Sequence, residues 1–171
     1  MLRTSFTAAL GFAVTLFIFS GTVAAQNRGP STLEERKHAV QLATSLENDP
    51  LSKNAKDKAR ELLVFLANVP DITITMCLAI LGPAKSLKGD YESDIVGQVL
   101  FSQAKFVIEN PEKAGDSFAV SLGAVEGVIR TWKSIKAAKP KAKFPLMDEL
   151  VQKQEAGTLG DYVRAQMTNC K

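Results

Sequence analysis

The centre of the chain reads YESDIVGQVLFSQAKFVIE at residues 91–109 and DSFAVSLGAVEGVIRTWKSIKAA at residues 116–138. Both segments are long and are apolar around most of a helix circumference, which is the pattern of helices buried at the centre of a domain. Asn110 and Pro111 separate them, because proline suits the first turn of a helix and asparagine can cap that turn. The two segments predict a pair of central helices and an all-α fold.

Two amphipathic helices are predicted before this central pair. The first begins with Ser31 and Glu34 as a capping box and ends ahead of Pro50. The second is expected to begin directly afterwards, with Asp49 as its cap and Pro50 as its first residue. Its apolar face comprises Ala55, Ala59, Leu62, Leu63 and Leu66. The tight joint predicts that the two helices are antiparallel neighbours.

Two more helices are predicted at the C-terminal end. Pro145 suits the first position of one helix, and Gly157 suits its C-terminal end. Thr158 can then cap a last helix. Together these segments predict a single-domain helical bundle of about six or seven helices over residues 31–171.

Residues 69–81 do not follow the helical pattern of their neighbours. The sequence ITIT at residues 72–75 alternates β-branched apolar and polar residues, which is typical of a strand. No partner strand is recognisable, and a single strand is not stable alone. The segment is therefore either an extended connector or a helix, and we favour a helix from Thr73 to Leu81 that ends at Gly82.

The first 25 residues have the three parts of a secretory signal peptide. Arg3 lies in the short n-region, an apolar stretch of about 14 residues follows, and Val23 and Ala25 precede a cleavage position at Gln26. The alternative is an uncleaved membrane anchor, but this stretch is short against the roughly 20 residues that span a bilayer. We favour cleavage, which leaves residues 26–30 as a flexible lead-in.

The rest of the composition predicts a soluble exported protein. The whole chain has 21 Lys and Arg against 18 Asp and Glu, a formal charge of +3, and this balance is far from that of a nucleic-acid binder. No second apolar stretch is long enough to span a membrane, so no stable membrane anchor is expected. We expect the protein in the periplasm or in the medium. The sequence leaves the oligomeric state open.

The two cysteines are predicted to form a disulfide. In an oxidising compartment an even number of cysteines makes one bridge between Cys77 and Cys170 the simplest arrangement. The alternative of a redox-active pair is weaker, because such thiols usually lie in a C-x-x-C motif. A structural bridge would fix the C-terminus to the middle of the chain.

The sequence contains none of the common catalytic or cofactor-binding motifs, such as G-x-G-x-x-G, G-x-S-x-G or H-E-x-x-H. The single histidine, His38, lies among Arg36, Lys37 and Gln41 and is interpreted as a solvated helix residue. One histidine and two cysteines do not supply the four ligands of a structural zinc site. We therefore expect no catalytic residues, no metal and no cofactor, and favour a protein that is not an enzyme.

Glu126 is the candidate for a ligand-binding residue. It lies in the second central helix, four residues before Arg130, which is the favourable order for an ion pair. Its functional interpretation is a general acid or a contact for a cationic ligand, and its structural interpretation is an internal ion pair that fixes helix register. Gln98 and Gln103 on the preceding helix could complete a polar pocket, as could Glu109.

Gly123 and Gly127 form a G-x-x-x-G motif within the same helix. Two glycines cost about 2 kcal/mol of helix propensity relative to alanine, so another interaction must offset them. We favour close helix packing, with Gly97 and Ala104 as the facing residues. The alternative is that the glycines make room for a ligand.

A basic run after the central helices is the candidate for a partner-binding surface. It comprises Arg130, Trp132, Lys133, Lys136, Lys139, Lys141 and Lys143. Charge next to an aromatic residue can bind an acidic partner, although a charged helix end is often simply solvated.

Taken together, the sequence predicts an exported helical protein that acts by non-catalytic binding, with a protein partner favoured. An inhibitor or immunity protein that guards against an exported toxin would fit the same features. The alternative function is a small-molecule carrier, or a carboxylate-dependent enzyme, with a pocket around Glu126.

Overall fold

The computed structural model describes residues 28–170. Six α-helices are present in this part of the chain, in agreement with the predicted all-α bundle, and it contains no β-strand. The helices are α1 (Leu33–Asn48), α2 (Ala55–Asn68), α3 (Glu92–Glu109), α4 (Ser117–Ala138), α5 (Pro145–Glu155) and α6 (Leu159–Met167). Short 3-10 turns lie at Leu78–Leu81, Ala84–Ser86 and Pro111–Lys113. The predicted signal peptide and the first two residues of the lead-in lie outside the described residues.

Helices α3 and α4 pack against each other at the centre of the domain, as predicted. Ile95 and Val99 of α3 and Val125 and Ile129 of α4 are fully buried where the two helices meet. The Asp116 side chain caps α4 by accepting hydrogen bonds from the N–H groups of the next turn. Helices α5 and α6 cover another face of α4 and complete the larger of the two main apolar clusters.

The start of α1 differs by one residue from the prediction. Thr32 and Glu35 form the capping box, in which the Glu35 N–H donates to the Thr32 hydroxyl at 3.2 Å and the Thr32 N–H donates to the Glu35 carboxylate at 2.8 Å. Ser31 is not available for this role, because its N–H and hydroxyl donate to the Asp71 carboxylate at 2.8 and 2.7 Å. Because Ser31 binds Asp71, Thr32 is the N-cap of α1 in its place.

Helix α2 begins later than predicted. Its first residue is Ala55, and residues 50–54 form turns in which the Ser52 N–H and hydroxyl donate to the Asp49 carbonyl. Leu51 packs against the central apolar cluster, so residues 50–54 turn toward the core before the helix begins. The prediction that Asp49 caps α2 and that Pro50 begins it is wrong.

The predicted helix from Thr73 to Leu81 is also wrong over most of its length. Residues 72–77 have no helical structure, and only a 3-10 turn forms, at Leu78–Leu81. Val69 and Ile72 are buried against Val107 of α3, so packing of the β-branched side chains holds the segment out of a helix. The segment is an extended connector, which was the other alternative that the sequence left open.

The predicted disulfide between Cys77 and Cys170 is present. Its Cα atoms are 5.7 Å apart, and the bond joins residues separated by 93 positions. The Tyr162 hydroxyl donates to the Leu81 carbonyl at 2.8 Å and adds a second link between α6 and this region. Gly157 ends α5 with a φ of +71°, as its predicted C-terminal position requires. Within residues 28–170 no helix is long and apolar enough to cross a membrane.

Candidate binding site

Trp132, the aromatic residue of the predicted partner-binding surface, is buried. Only 1% of its surface is exposed, and its indole N–H donates to the Asp148 carboxylate at 2.9 Å. Its ring packs edge-to-face on Phe144, with the ring centroids 6.0 Å apart. Helical spacing from Val128 and Ile135 places it on the buried face of α4, so the prediction that Trp132 contacts a partner is wrong.

Two lysines of the basic run are engaged within the domain. The Lys136 ammonium donates to the Ala142 carbonyl at 3.0 Å and lies 5.7 Å from the centre of the Trp132 ring. The Lys133 ammonium donates to the Gln154 side chain at 3.0 Å. These contacts hold the loop after α4 and the end of α5 against the core.

The other three lysines of the run, Lys139, Lys141 and Lys143, are exposed. Lys139 and Lys141 border a shallow depression of about 410 Å³ that Asp90 and Tyr91 also line. The basic surface that remains is therefore the loop after α4, and the buried Trp132 is not part of it. A solvated charged loop, the other alternative, fits this geometry.

Glu126 does not pair with Arg130. The Arg130 guanidinium instead donates from Nε and Nη2 to the Glu47 carboxylate of α1, at 2.9 and 3.1 Å. Hydrogen bonding to Glu47 raises the pKa of Arg130, burial opposes that shift, and the charges of Glu47, Glu126 and Glu109 add to it. The predicted ion pair between Glu126 and Arg130 is wrong, because the Arg130 guanidinium binds the buried carboxylate of Glu47 on a neighbouring helix.

Glu47 is the buried carboxylate of the domain, and only 1% of its surface is exposed. Besides Arg130, the Lys105 ammonium donates to it at 2.9 Å and the Ser102 hydroxyl at 3.2 Å. Burial would raise its pKa, but the hydrogen bonds and charges of Arg130 and Lys105 outweigh burial and lower the pKa of Glu47 below its usual value. This group joins α1, α3 and α4.

The sequence analysis missed Glu47, although a signal for it exists. Ala39, Leu42, Ala43 and Leu46 define the buried stripe of α1, and Glu47 lies four residues after Ala43 on the same stripe. A carboxylate at such a position must be paired, because burying it alone is costly. Periodicity could therefore have identified the residue, but not its partners.

Glu126 lines a polar depression of about 310 Å³ between α3 and α4. Its other lining residues are Ser102, Lys105, Phe106, Glu109, Gly123 and Arg130. Gln98 and Gln103, which the sequence offered as residues that could complete this pocket, are buried elsewhere. Gln98 donates to the Ser102 hydroxyl at 3.0 Å, and Gln103 donates to the Thr75 carbonyl at 3.3 Å. The depression beside Glu126 therefore includes Glu109 but neither glutamine, and its role in ligand binding stays a prediction.

The two glycines of α4 allow close packing of α3, as favoured. A Cβ atom at Gly123 would clash with the ring of Phe106, and one at Gly127 would clash with Ser102 and lie 2.7 Å from the Glu47 carboxylate. The facing residues are Phe106 and Ser102, so the prediction that Gly97 and Ala104 face the motif is wrong. A Cβ atom at Gly97 would meet only Phe101, at 3.9 Å.

Gly97 instead lines a cleft of about 430 Å³ between α2 and α3. Leu46 of α1, Gln98 and Phe101 of α3, and Thr131 of α4 form its inner part, while Leu63 of α2 lies on its outer wall. The exposed lining is mostly apolar. The absence of a side chain at Gly97 keeps the α3 wall of the cleft open.

Asp94 is the acidic residue in the wall of this cleft. Partial burial raises its pKa above the usual value, and the positive charge of Lys56, across the cleft on α2, partly offsets that effect. Lys56 and Asp94 thus give the two walls opposite charges. Both could pair with charges on a molecule that entered the cleft.

The outer surface of α2 continues this apolar region. Residues 62–67 read LLVFLA, an unbroken apolar run, yet Leu62 is the only buried residue of the helix. Val64 is 55% exposed, and Leu63 is also exposed. Helix α2 packs mainly on α1, which leaves Leu63 and Val64 at the surface, while Ala55, Ala59, Phe65 and Leu66 are partly buried against the cluster around Leu62.

No three His, Cys, Asp or Glu side chains within residues 28–170 are grouped closely enough to hold a metal ion. The His38 ring lies 2.6 Å from the Glu61 carboxylate on an exposed surface, away from the cleft between α2 and α3.

Comparison with family models, with curated proteins and with solved structures finds no match to this chain. The functional argument therefore rests on the geometry of the domain itself.

Proposed function

We propose that this protein is exported and acts outside the cytoplasm by non-catalytic binding to another protein. The signal-peptide pattern of residues 1–25 supports export. The bond between Cys77 and Cys170 supports the same location, because disulfides persist in oxidising compartments and are rare in the cytosol. An inhibitor or immunity protein is one form that such a function can take.

The observation that carries the proposal is the mostly apolar cleft between α2 and α3, with the exposed Leu63 on its α2 wall. Domains rarely leave consecutive large apolar residues at the surface unless another molecule covers them. Leu63 and Val64 are the two exposed large apolar residues of α2. Leu63 lines the cleft between α2 and α3, which extends inward to Phe101, while Val64 borders a depression between α1 and α2. Burying one such side chain contributes about 1.5–3 kcal/mol, so a few of them can supply a large part of a binding energy.

The shape of this site fits an amphipathic helix of the partner. Helices α2 and α3 both pack on α1, and the cleft runs between them with Leu46 of α1 at its base. Two helices on a common base leave a groove in which a third helix can place apolar side chains at helical spacing. Lys56 and Asp94 on the two walls can pair with its flanking charges.

A second candidate is a small-molecule carrier that uses the polar depression around Glu126. The observation in its favour is the cluster of Lys105, Glu109, Glu126 and Arg130 around about 310 Å³ of space. Arg130 and Lys105 already bind Glu47, which leaves fewer groups for a ligand. We therefore favour the cleft and the protein partner.

Site-specific photo-crosslinking in the producing cell tests the proposal. A photoreactive residue at position 63, in the cleft wall, should form a discrete adduct with a second, different protein. The matched control is the same residue at position 152, which is exposed on α5. The substitution Gly97→Phe should abolish the adduct, because it fills the cleft at a position where the packing leaves open space.

Three outcomes would contradict the proposal. An adduct of equal intensity at positions 63 and 152 would show non-specific contact. An adduct that persists in a folded Gly97→Phe variant would place the partner outside the cleft. An adduct with the mass of two copies of the chain would show self-association in place of a second protein.

A further inference from the structure

Residues 72–76, with the sequence ITITM, form a strand-like segment in an otherwise helical domain. Ile72 is buried, Thr73 is exposed, Ile74 is half-buried and Thr75 is exposed, which is the alternation of an extended strand. Met76, at the end of the segment, is exposed and does not continue the alternation. Val69 and Cys77, on either side, have backbone angles in the β region. No other segment within residues 28–170 pairs with it as a strand.

The two edges of this segment differ. In an extended strand the N–H and C=O of one residue lie on the same edge, and those of the next residue lie on the opposite edge. The Thr75 carbonyl accepts a hydrogen bond from the Gln103 side chain of α3, so the edge of Thr73 and Thr75 faces the domain. The other edge carries the backbone groups of Ile72, Ile74 and Met76, and none of these groups bonds to a residue of the described chain.

The segment is held firmly at both ends. The Asp71 carboxylate accepts hydrogen bonds from Ser31 and from Arg36, the latter at 2.6 Å, and Ile72 packs against Val107. Cys77 is fixed by its disulfide. An edge anchored in this way is a preformed template for an added strand, because pairing does not require the backbone to be ordered first.

We propose that a second copy of this chain pairs with the segment, as an antiparallel strand centred on Ile74. This register places Thr73 of one copy opposite Thr75 of the other, a favourable cross-strand pair. It places Met76, which is 51% exposed in the single chain, opposite Ile72 at each end of the paired segment. Residues 72–76 carry no charged side chain, so the two strands do not repel each other.

The pairing satisfies the free edge without disturbing the domain. The two Ile74 residues exchange backbone hydrogen bonds, and so does each Ile72 with the Met76 of the other copy. The Thr75 carbonyl keeps its bond to Gln103, because it lies on the other edge. This surface is distinct from the cleft between α2 and α3, so the inference does not depend on the proposed function.

Sedimentation velocity of the chain as the cell produces it tests this inference. Across about 1 µM to 1 mM, the range of weak to moderate association, we expect a concentration-dependent monomer–dimer equilibrium. Met76→Pro removes an N–H from the free edge and should weaken dimerisation at least tenfold. The matched control is Thr75→Pro, which changes a neighbouring exposed residue on the inner edge and should leave dimerisation within twofold of the parent chain.

A second measurement tests the register. Chains with Thr73→Cys mixed with chains with Thr75→Cys should cross-link under mild oxidation, while neither variant alone should do so, because only this mixture brings cysteines opposite each other. A parent chain that stays monomeric over the whole concentration range would overturn the proposal. Equal weakening by both proline substitutions, or cross-linking of either cysteine variant alone, would also overturn it.

Discussion

The guanidinium of Arg130 on α4 binds the buried carboxylate of Glu47 on α1 through two hydrogen bonds, at 2.9 and 3.1 Å. Lys105 of α3 adds a third contact at 2.9 Å, so one carboxylate holds three helices together. Glu47→Gln should lower the free energy of unfolding by about 2–3 kcal/mol, less than for a fully buried ion pair because Arg130 is partly exposed. Urea denaturation followed by circular dichroism measures the change.

Glu126→Gln is the matched control for this prediction. Glu126 lies on the same helix as Arg130, but it is only half-buried and does not accept the hydrogen bonds of Arg130. We expect the free energy of unfolding of the Glu126→Gln variant to stay within about 0.5 kcal/mol of that of the parent protein, as for most surface substitutions. If Glu126→Gln lowered the free energy of unfolding as much as Glu47→Gln does, the loss at Glu47 could not be assigned to its ion pair.

The Glu47 ion pair also predicts how stability depends on pH. Because the pKa of Glu47 is lowered on folding, its contribution is fully present above the unfolded value of 4.5 and is lost as the pH falls through the lower folded pKa. The urea midpoint should therefore decrease as the pH falls from 5 toward 3, and Glu47→Gln should reduce that decrease. The pKa of Asp71 is also lowered, so part of the pH dependence of stability should remain in the Glu47→Gln variant. An unchanged pH profile in Glu47→Gln would contradict the account.

Two helix-interior glycines should respond oppositely to alanine. At Gly127 the new methyl group would clash with Ser102 and crowd the Glu47 carboxylate, and such overpacking costs about 1–3 kcal/mol. At Gly97 the methyl group meets only Phe101, at 3.9 Å, so the better helix propensity of alanine should add about 0.5–1 kcal/mol. Thermal unfolding of the two variants in parallel measures both effects. A gain in stability at Gly127 would contradict the observed packing of α3 on α4.

The disulfide is expected to be a major contribution to stability. It joins residues separated by 93 positions, and a loop of that length corresponds to about 4–5 kcal/mol in the chain-entropy model before native strain is subtracted. Replacing Cys77 and Cys170 together by serine should therefore lower the urea midpoint strongly while the helical circular dichroism signal is retained in water. A midpoint identical to that of the parent protein would show that the C-terminus is held by α6 packing alone.

The sequence predicted the central helices and the disulfide because each depends on a local or compositional signal. Residues 91–109 and 116–138 are apolar over most of their circumference, and that pattern admits few alternatives to a buried helix. The glycine motif of α4 likewise indicated close packing. Its partner residues could not be predicted, because the rotation of α3 that brings Phe106 and Ser102 against α4 is a property of the packed domain.

The errors share one physical cause, which is competition from distant parts of the chain. Trp132 looked like a surface aromatic residue beside lysines, but its indole N–H reaches Asp148 on α5. Arg130 looked like the partner of Glu126, but it binds Glu47, which lies 83 residues away. The cleft between α2 and α3 could not be predicted either, because it arises from how two helices lie on α1.

The most direct test of the proposed binding site is native mass spectrometry of the protein purified gently from the producing cell. The parent chain is compared with Gly97→Phe, which fills the cleft, and with the charge reversal Lys139→Glu and Lys141→Glu on the exposed basic loop. We predict that the parent chain and the charge-reversed chain carry a second, different polypeptide, and that Gly97→Phe does not. A parent chain that is bare or carries only a small molecule, or a partner lost only on charge reversal, would contradict the assignment of the cleft as the binding site.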